Sequence, residues 1–239
     1  MDSQKRSMLK AFSALTFGAS FVPLESLAFE APTSDGKTKR YAMIIDLRRC
    51  IGCQSCTVSC TIENDTPMGK FRTTVQQWEV TDGQHTVDNL LLPRLCNHCN
   101  NPPCVPVCPV KATYKEPNGI VIIDKTTCIA CGLCVKACPY DARFINPDTK
   151  TADKCTFCEH RLEVGLLPAC VDSCVGGARI IGDLADPKSQ VRQLFDAHKS
   201  DLKVLKPEAG TEPYVFYLGL DQAFQSQVKG QPVLVNKSV

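Results

Sequence analysis

The run Cys128-Ile129-Ala130-Cys131-Gly132-Leu133-Cys134-Val135-Lys136-Ala137-Cys138-Pro139 decides how the rest of this chain is organised. Its cysteines follow the spacing C-x2-C-x2-C-x3-C and close on a proline. Three further runs accompany it. Cys50, Cys53, Cys56 and Cys60 repeat the spacing, with Thr61 in place of the proline. Cys96, Cys99, Cys104 and Cys108 close on Pro109 and carry extra residues in the middle gap. Cys155, Cys158, Cys170 and Cys174 keep the first gap and then admit a long insertion. Together the runs use all 16 cysteines of the 239 residues.

Three chemistries compete for such runs. Disulfides suit an even count, but they give no reason for sets with two-residue gaps. Zinc closes a tetrahedral site on two C-x2-C pairs and has no use for a third cysteine three residues on. A C-x2-C-x2-C loop sets three thiolates on three irons of a 4Fe–4S cube, and the fourth cysteine, followed by proline, reaches a second cluster, as in bacterial ferredoxins. Iron–sulfur is the reading that employs every cysteine; zinc and disulfides stand as the alternatives. By ferredoxin logic Cys96, Cys99 and Cys104 take Cys138 as fourth ligand, and Cys128, Cys131 and Cys134 take Cys108. The same symmetry groups Cys50, Cys53 and Cys56 with Cys174, and Cys155, Cys158 and Cys170 with Cys60. The expectation is four 4Fe–4S clusters. Gly52 and Gly132 lie inside the tight loops, where they let backbone N–H groups turn towards cluster sulfur. His98 and His160 fall within or beside runs and are read as surface residues or neighbours of the ligands, not as ligands.

Composition agrees with a protein that builds loops around metal. The hydrophobic fraction of 44% includes the cysteines, and 7% is aromatic with a single Trp78, so the aliphatic core is modest. Stability then comes partly from what the cysteines hold. The formal charge of +2 counts cysteine as neutral, and thiolates on four cluster cores would make the loaded chain net negative. No basic stripe suggests nucleic acid. Arg48, Arg49, Lys111, Lys136, Lys154 and Arg161 lie near the runs and are read either as offsets to cluster charge or as solvated surface.

Along the chain, Lys5-Arg6-Ser7-Met8-Leu9-Lys10 and the apolar residues 11–24 form a basic head and short apolar body. With a small-residue cut after Ser26-Leu27-Ala28, residues 1–29 read as an export signal; the head is twin-arginine-like, with Lys5 for the first arginine. Residues 30–40 read as a linker. YAMIID at 41–46 is a buried strand, 71–80 and 87–92 a hairpin turning at Asp82-Gly83, and 120–123 a strand after Pro117-Asn118-Gly119. The pairing of YAMIID with the first run matches that of IVIID with the third, an internal repeat. The fold expected is α+β, with two pseudo-equivalent ferredoxin-like halves, one inserted in the other. The outer half takes 41–93 and 150–183, closing on a strand at 178–181, and the inner half takes 94–149. A C-terminal extension over 184–239 opens with an Asp186-Pro187 helix start. It carries an apolar face of Val191, Leu194, Phe195 and His198, then a strand at 214–218, and a tail with little signal after 225.

Four clusters in one chain make a relay, and no dinucleotide, nucleophile or two-histidine metal motif supplies a terminus. The run order, with C-x2-C-x4-C-x3-CP second, resembles the iron–sulfur (beta) subunits of the dimethyl sulfoxide reductase family. That family includes polysulfide, thiosulfate, tetrathionate, nitrite and arsenate respiratory enzymes. The stretches DLRRCIGCQSCTVSCTIEN, LLPRLCNHCNNPPCVPVCPV, ADKCTFCEHRLEVGLLPACV and VFYLGLDQAF point most to the tetrathionate-linked branch. The resemblance implies no catalysis by this chain alone. It implies a peripheral position on the periplasmic side of the cytoplasmic membrane, between a quinol-oxidising membrane subunit and a molybdopterin catalytic subunit. A free polyferredoxin and a zinc-stabilised scaffold are the rival readings.

Overall fold

The computed structural model describes residues 38–81, 86–220 and 233–234, with side chains at all of these except 79–81, 86–89 and 233–234. The expected export signal, most of the expected linker and the Asp82-Gly83 turn lie outside the described residues.

Strand β1 (Tyr41–Asp46) is the centre of a three-stranded sheet in the order β8-β1-β9. Its apolar run is continuous because both of its faces are covered: Ala42, Met43, Ile44 and Ile45 are each 0% exposed. Alternation divides them. Met43 and Ile45 face the core that contains cysteines of several runs. Ala42 and Ile44 face Val191 and Leu218. Strand β8 (Arg179–Asp183) runs antiparallel to β1, pairing Ile45 with Arg179. Strand β9 (Val215–Leu218) runs parallel to it, pairing Met43 with Val215. The C-terminal extension therefore supplies one edge of this sheet.

Helix α1 (Ser55–Glu63) carries Cys56 and Cys60 on its buried side. It is followed by the expected hairpin of β2 (Thr73–Thr81) and β3 (Thr86–Leu95). Two short hairpins lie between and after the central runs. They are β4 (Thr113–Lys115) with β5 (Val121–Ile123), and β6 (Arg143–Asn146) with β7 (Thr151–Lys154). The third run holds helix α2 (Leu133–Lys136), and the fourth holds α3 (Glu159–Glu163) and α4 (Ala169–Asp172). Two aspartates four residues before a run make the same bonds. Asp46 N–H donates to Ala178 O at 2.8 Å, and Asp124 N–H to Ala112 O at 2.7 Å. Each acceptor stands four residues after the last cysteine of a run. Each aspartate Oδ1 also accepts from the N–H two residues on, Arg48 at 3.2 Å and Thr126 at 2.8 Å.

The extension differs from the sequence reading at two points. Helix α5 (Gln190–Ala197) begins later than Asp186-Pro187 implies, and its N-cap is Ser189, whose hydroxyl accepts from Arg192 N–H at 3.2 Å. Asp186 instead closes a turn, accepting from Lys188 N–H at 2.9 Å. Val191 packs fully buried over Gly182, where an added Cβ would meet it at 3.1 Å. The tail also contributes: β10 (Val233–Leu234) pairs antiparallel with β2.

An exposed-helix cap is worth about 1 kcal/mol. Ser189→Ala is expected to lower the stability of the full chain by about that amount. Asp186→Ala should cost a few tenths at most, as for an exposed turn residue. Anaerobic urea denaturation followed by circular dichroism checks the ranking, and equal midpoints for the two variants contradict it.

Candidate iron–sulfur centres

The cysteine loops turn tightly because alternate residues adopt left-handed backbone. Gly52 (φ +70°) and Gln54 (φ +61°) do so in the first run, Ala130 (φ +55°) and Gly132 (φ +76°) in the third. Gly52 and Gly132 thus occupy the conformation that the sequence assigned them.

The folded chain brings thiols of different runs together. One cavity is lined by Cys50, Cys53, Cys56 and Cys174, with Arg49, Val75 and Arg179 in its wall. Another is lined by Cys108, Cys128, Cys131 and Cys134, with Thr113 and Ala152. Cys53 and Cys131 are exposed, one in each cavity. Cys60, Cys155, Cys158 and Cys170 are buried. Asn64 Nδ2 reaches two of them, Cys60 Sγ at 3.5 Å and Cys158 Sγ at 3.7 Å. Cys96, Cys99 and Cys104 are buried and Cys138 is half-buried. Burial pushes the Cys60 thiol up to about 12, and the Cys170 and Cys158 sulfurs beside it push the same way. Burial likewise raises Cys99 to about 12, with Cys96, Cys104 and Cys138 adding to the shift against a hydrogen bond from Thr211. Cys104 rises to about 11, held lower by the Arg143 guanidinium. Metal would have to displace these protons on binding.

Donors face the sulfurs. Ala178 N–H reaches Cys174 Sγ at 3.2 Å, Ala152 N–H Cys128 Sγ at 3.3 Å, and Phe157 N–H Cys155 Sγ at 3.3 Å. Arg143 Nη2 donates to Cys104 Sγ at 3.0 Å. Among the described residues several buried polar atoms have no hydrogen-bond partner: Arg72 Nε, the Asn97 amide and Arg179 Nη1. Buried donors are nearly always bonded, so an orphaned guanidinium N–H in the wall of a four-thiol cavity suits an anionic, sulfide-bearing group. The donor sets therefore fit iron–sulfur clusters.

Of the basic residues singled out by position, Lys154 is buried, 1% exposed, with Nζ bonded to Val121 O and, at 2.8 Å, to Cys155 O. Arg161 pairs with Glu63 at 2.7 Å and Asp172 at 3.3 Å, and Arg48 pairs with Asp46 at 2.7 Å. Arg49, Lys111 and Lys136 are exposed. The sequence reading missed Arg72, Arg143 and Arg179, all buried. Arg72 is bonded to Asp153 at 2.8 Å and to Asn64 Oδ1 at 2.7 Å. A signal for the other two was present: each stands five residues after the last cysteine of its run. His160 is exposed and bonded to Glu63 at 2.8 Å, as expected. His98 is not at the surface: it is 0% exposed, its ring 3.8 Å from that of Phe157. Its Nδ1 accepts from Val121 N–H at 3.0 Å, so the imidazole serves the packing between β5 and the fourth run. Burial, with Lys154 and Arg143 nearby, holds it well below the usual histidine range.

Residues 87–184, spanning the last three runs, match the family model described as a 4Fe-4S dicluster domain. The fold and these sites define a ferredoxin-type 4Fe–4S protein. A tetrathionate reductase subunit of Salmonella typhimurium is 62% identical over 240 residues, covering 98% of this chain and 96% of that one. A polysulfide reductase subunit of Wolinella succinogenes is 41% identical, covering 74% of this chain and 93% of its own. The arsenate respiratory reductase iron-sulfur subunit of a Shewanella species is 36% identical, covering 75% and 96%. The protein belongs to the iron–sulfur subunits of the dimethyl sulfoxide reductase family.

His98→Phe keeps the contact with Phe157 and strands the Val121 N–H, a loss of about 1–3 kcal/mol. The variant is expected to melt earlier than wild type with its iron content unchanged. Iron lost in proportion to one cluster would make His98 a ligand.

Proposed function

We propose that this chain is the electron-transfer subunit of a membrane-associated respiratory molybdoenzyme. It relays electrons through four 4Fe–4S clusters from a quinol-oxidising integral membrane subunit to a molybdopterin catalytic subunit. It lies on the periplasmic side of the membrane, reached through the export signal, and the terminal acceptor is tetrathionate, reduced to thiosulfate. Two pseudo-equivalent halves hold the clusters, and the matching Asp46–Ala178 and Asp124–Ala112 bonds support that repeat. The ligand sets are Cys50, Cys53, Cys56 and Cys174; Cys60, Cys155, Cys158 and Cys170; Cys96, Cys99, Cys104 and Cys138; and Cys108, Cys128, Cys131 and Cys134. A bound cluster of this kind supplies one-electron exchange at a potential set by its surroundings.

The observation that carries the relay is the gradient of exposure. Each end set has one exposed cysteine, Cys53 or Cys131, whereas the sets between them are made of buried thiols apart from the half-buried Cys138. Cys155 and Cys96 lie within electrostatic reach of each other, which joins the two halves. A relay needs ends open to partners and a middle closed to solvent. Exposed apolar residues flank both ends, Ile51 and Val175 at one, Ile129 and Leu133 at the other. The chain itself orients the sulfurs, excludes water around the inner sets and donates hydrogen bonds to the ligands. Tetrathionate as acceptor rests on the likeness to the Salmonella protein along almost the whole chain.

Anaerobically purified complex is expected to hold about sixteen irons per copy of this chain, four per cluster, and to co-purify with a large molybdenum-containing subunit. Eight irons or fewer in fully loaded protein would refute four clusters. A stable monomer without partners after mild membrane extraction would mark a free polyferredoxin. Cys104→Ser should remove or convert one centre in the electron paramagnetic resonance spectrum. Four unchanged 4Fe–4S centres in that variant would overturn the ligand grouping.

A further inference from the structure

Two buried arginines hold matching places. Arg143 follows Cys138 in Cys138-Pro139-Tyr140-Asp141-Ala142-Arg143, and Arg179 follows Cys174 in Cys174-Val175-Gly176-Gly177-Ala178-Arg179. Each opens the strand after its run, β6 or β8. Each is preceded by an alanine whose N–H serves the last cysteine, Ala178 to Cys174 at 3.2 Å and Ala142 to Cys138. Each guanidinium also donates to a threonine hydroxyl: Arg179 Nη2 to Thr73 at 2.9 Å, Arg143 Nη1 to Thr113 at 3.3 Å. Arg143 is 4% exposed and Arg179 3%. Among the described residues neither has a carboxylate partner.

Each side chain touches both thiol sets of its half. Arg143 Nη2 is 3.0 Å from Cys104 Sγ, and Cys134 of the neighbouring set is a second sulfur partner. Arg179 lies beside Cys170 and lines the cavity of Cys50, Cys53, Cys56 and Cys174, where its Nη1 is buried without a partner among the described residues. A guanidinium stays charged at any accessible pH, and a buried charge without an opposite one is costly. Two such charges at equivalent junctions are balanced when anionic groups sit on both sides.

We propose that Arg143 and Arg179 are a matched pair of fixed cations, each seated between the two clusters of one half and raising the reduction potential of both. The proposal rests on the four-cluster reading given above. Reduction adds one electron to a cluster and moves no proton to or from the arginine. The added charge is stabilised by the nearby guanidinium in a medium that screens it weakly. The cation also weakens the repulsion that a reduced cluster exerts on its neighbour, so both clusters of a half stay usable in the same potential window. These are positioning residues, acting on the clusters through charge.

The test is a redox titration of the whole complex followed by electron paramagnetic resonance. It compares wild type with Arg143→Gln, Arg179→Gln, the two lysine counterparts, and Arg192→Gln as a surface control. In each glutamine variant two centres are expected to become harder to reduce by tenfold or more, about 59 mV for a one-electron couple. The two centres moved by Arg143→Gln should be the two that Arg179→Gln leaves in place. The lysine variants should stay within threefold of wild type, and Arg192→Gln should match it. Unmoved potentials in both glutamine variants, or a uniform shift of all centres, would overturn the proposal. If the glutamine variants lose iron, the lysine variants decide. Loaded protein with wild-type potentials supports the charge role, and loss of iron there too assigns the arginines to bracing alone. Wild type with fewer than four centres would instead refute the four-cluster reading.

Discussion

Thiols from distant runs share cavities. Cys174 sits with Cys50, Cys53 and Cys56, and Cys108 sits with Cys128, Cys131 and Cys134. This exchange of one cysteine between runs is the constraint from which the other contacts follow. It draws the fourth run back to the first, and β8 is then delivered beside β1, where Ile45 meets Arg179. The strands that follow the last three runs, β4, β6 and β8, are short, and each returns the chain to another loop. With few aliphatic side chains to spare, the core that forms is partly sulfur: Cys56, Cys96, Cys99, Cys155 and Cys170 pack with Met43, Ile45 and Tyr217.

The electrostatics of that core need a counterpart. Burial raises the thiols of Cys60, Cys99 and Cys104 towards their neutral forms, while Arg143 and Lys154, opposite each other on β6 and β7, bring positive charge into the same region. Cations of this kind repel when nothing lies between them. Deprotonated cysteines bearing iron and sulfide would supply the missing negative charge and would couple loading with metal to completion of the fold.

Much of this was legible in the residues. Spacing distinguishes the first and third runs most sharply, because their paired two-residue gaps suit three thiolates on one cube. YAMIID, the β2–β3 hairpin and Pro117-Asn118-Gly119 carry local signals of strand and turn, and all three lie where those signals place them. Other features depend on partners that a local pattern does not contain. Nothing in VFYL says that it will lie parallel to β1, since that pairing is closed by residues far away. Ser189 outcompetes Asp186 as a cap because the helix start is set by Val191 finding Gly182. His98, Arg143 and Arg179 are polar residue types usually found at the surface. They are buried here because protein groups receive them: the Phe157 ring and Val121 N–H for His98, and cysteine sulfur with a threonine hydroxyl for each arginine. The repeated distance of Arg143 and Arg179 from a closing cysteine was visible, yet it gains meaning only once both are found beneath the surface.

The exposure of Cys53 and Cys131 has a consequence outside electron flow. A sulfur that a partner can approach is also one that peroxide and oxygen can approach, and accessible thiolates are the first to be oxidised. Wear therefore begins at the two ends of the series of sites and not in its middle. In the proposed complex, subunits that cover those ends would act as shields as well as conductors, and an unassembled copy would be the perishable form.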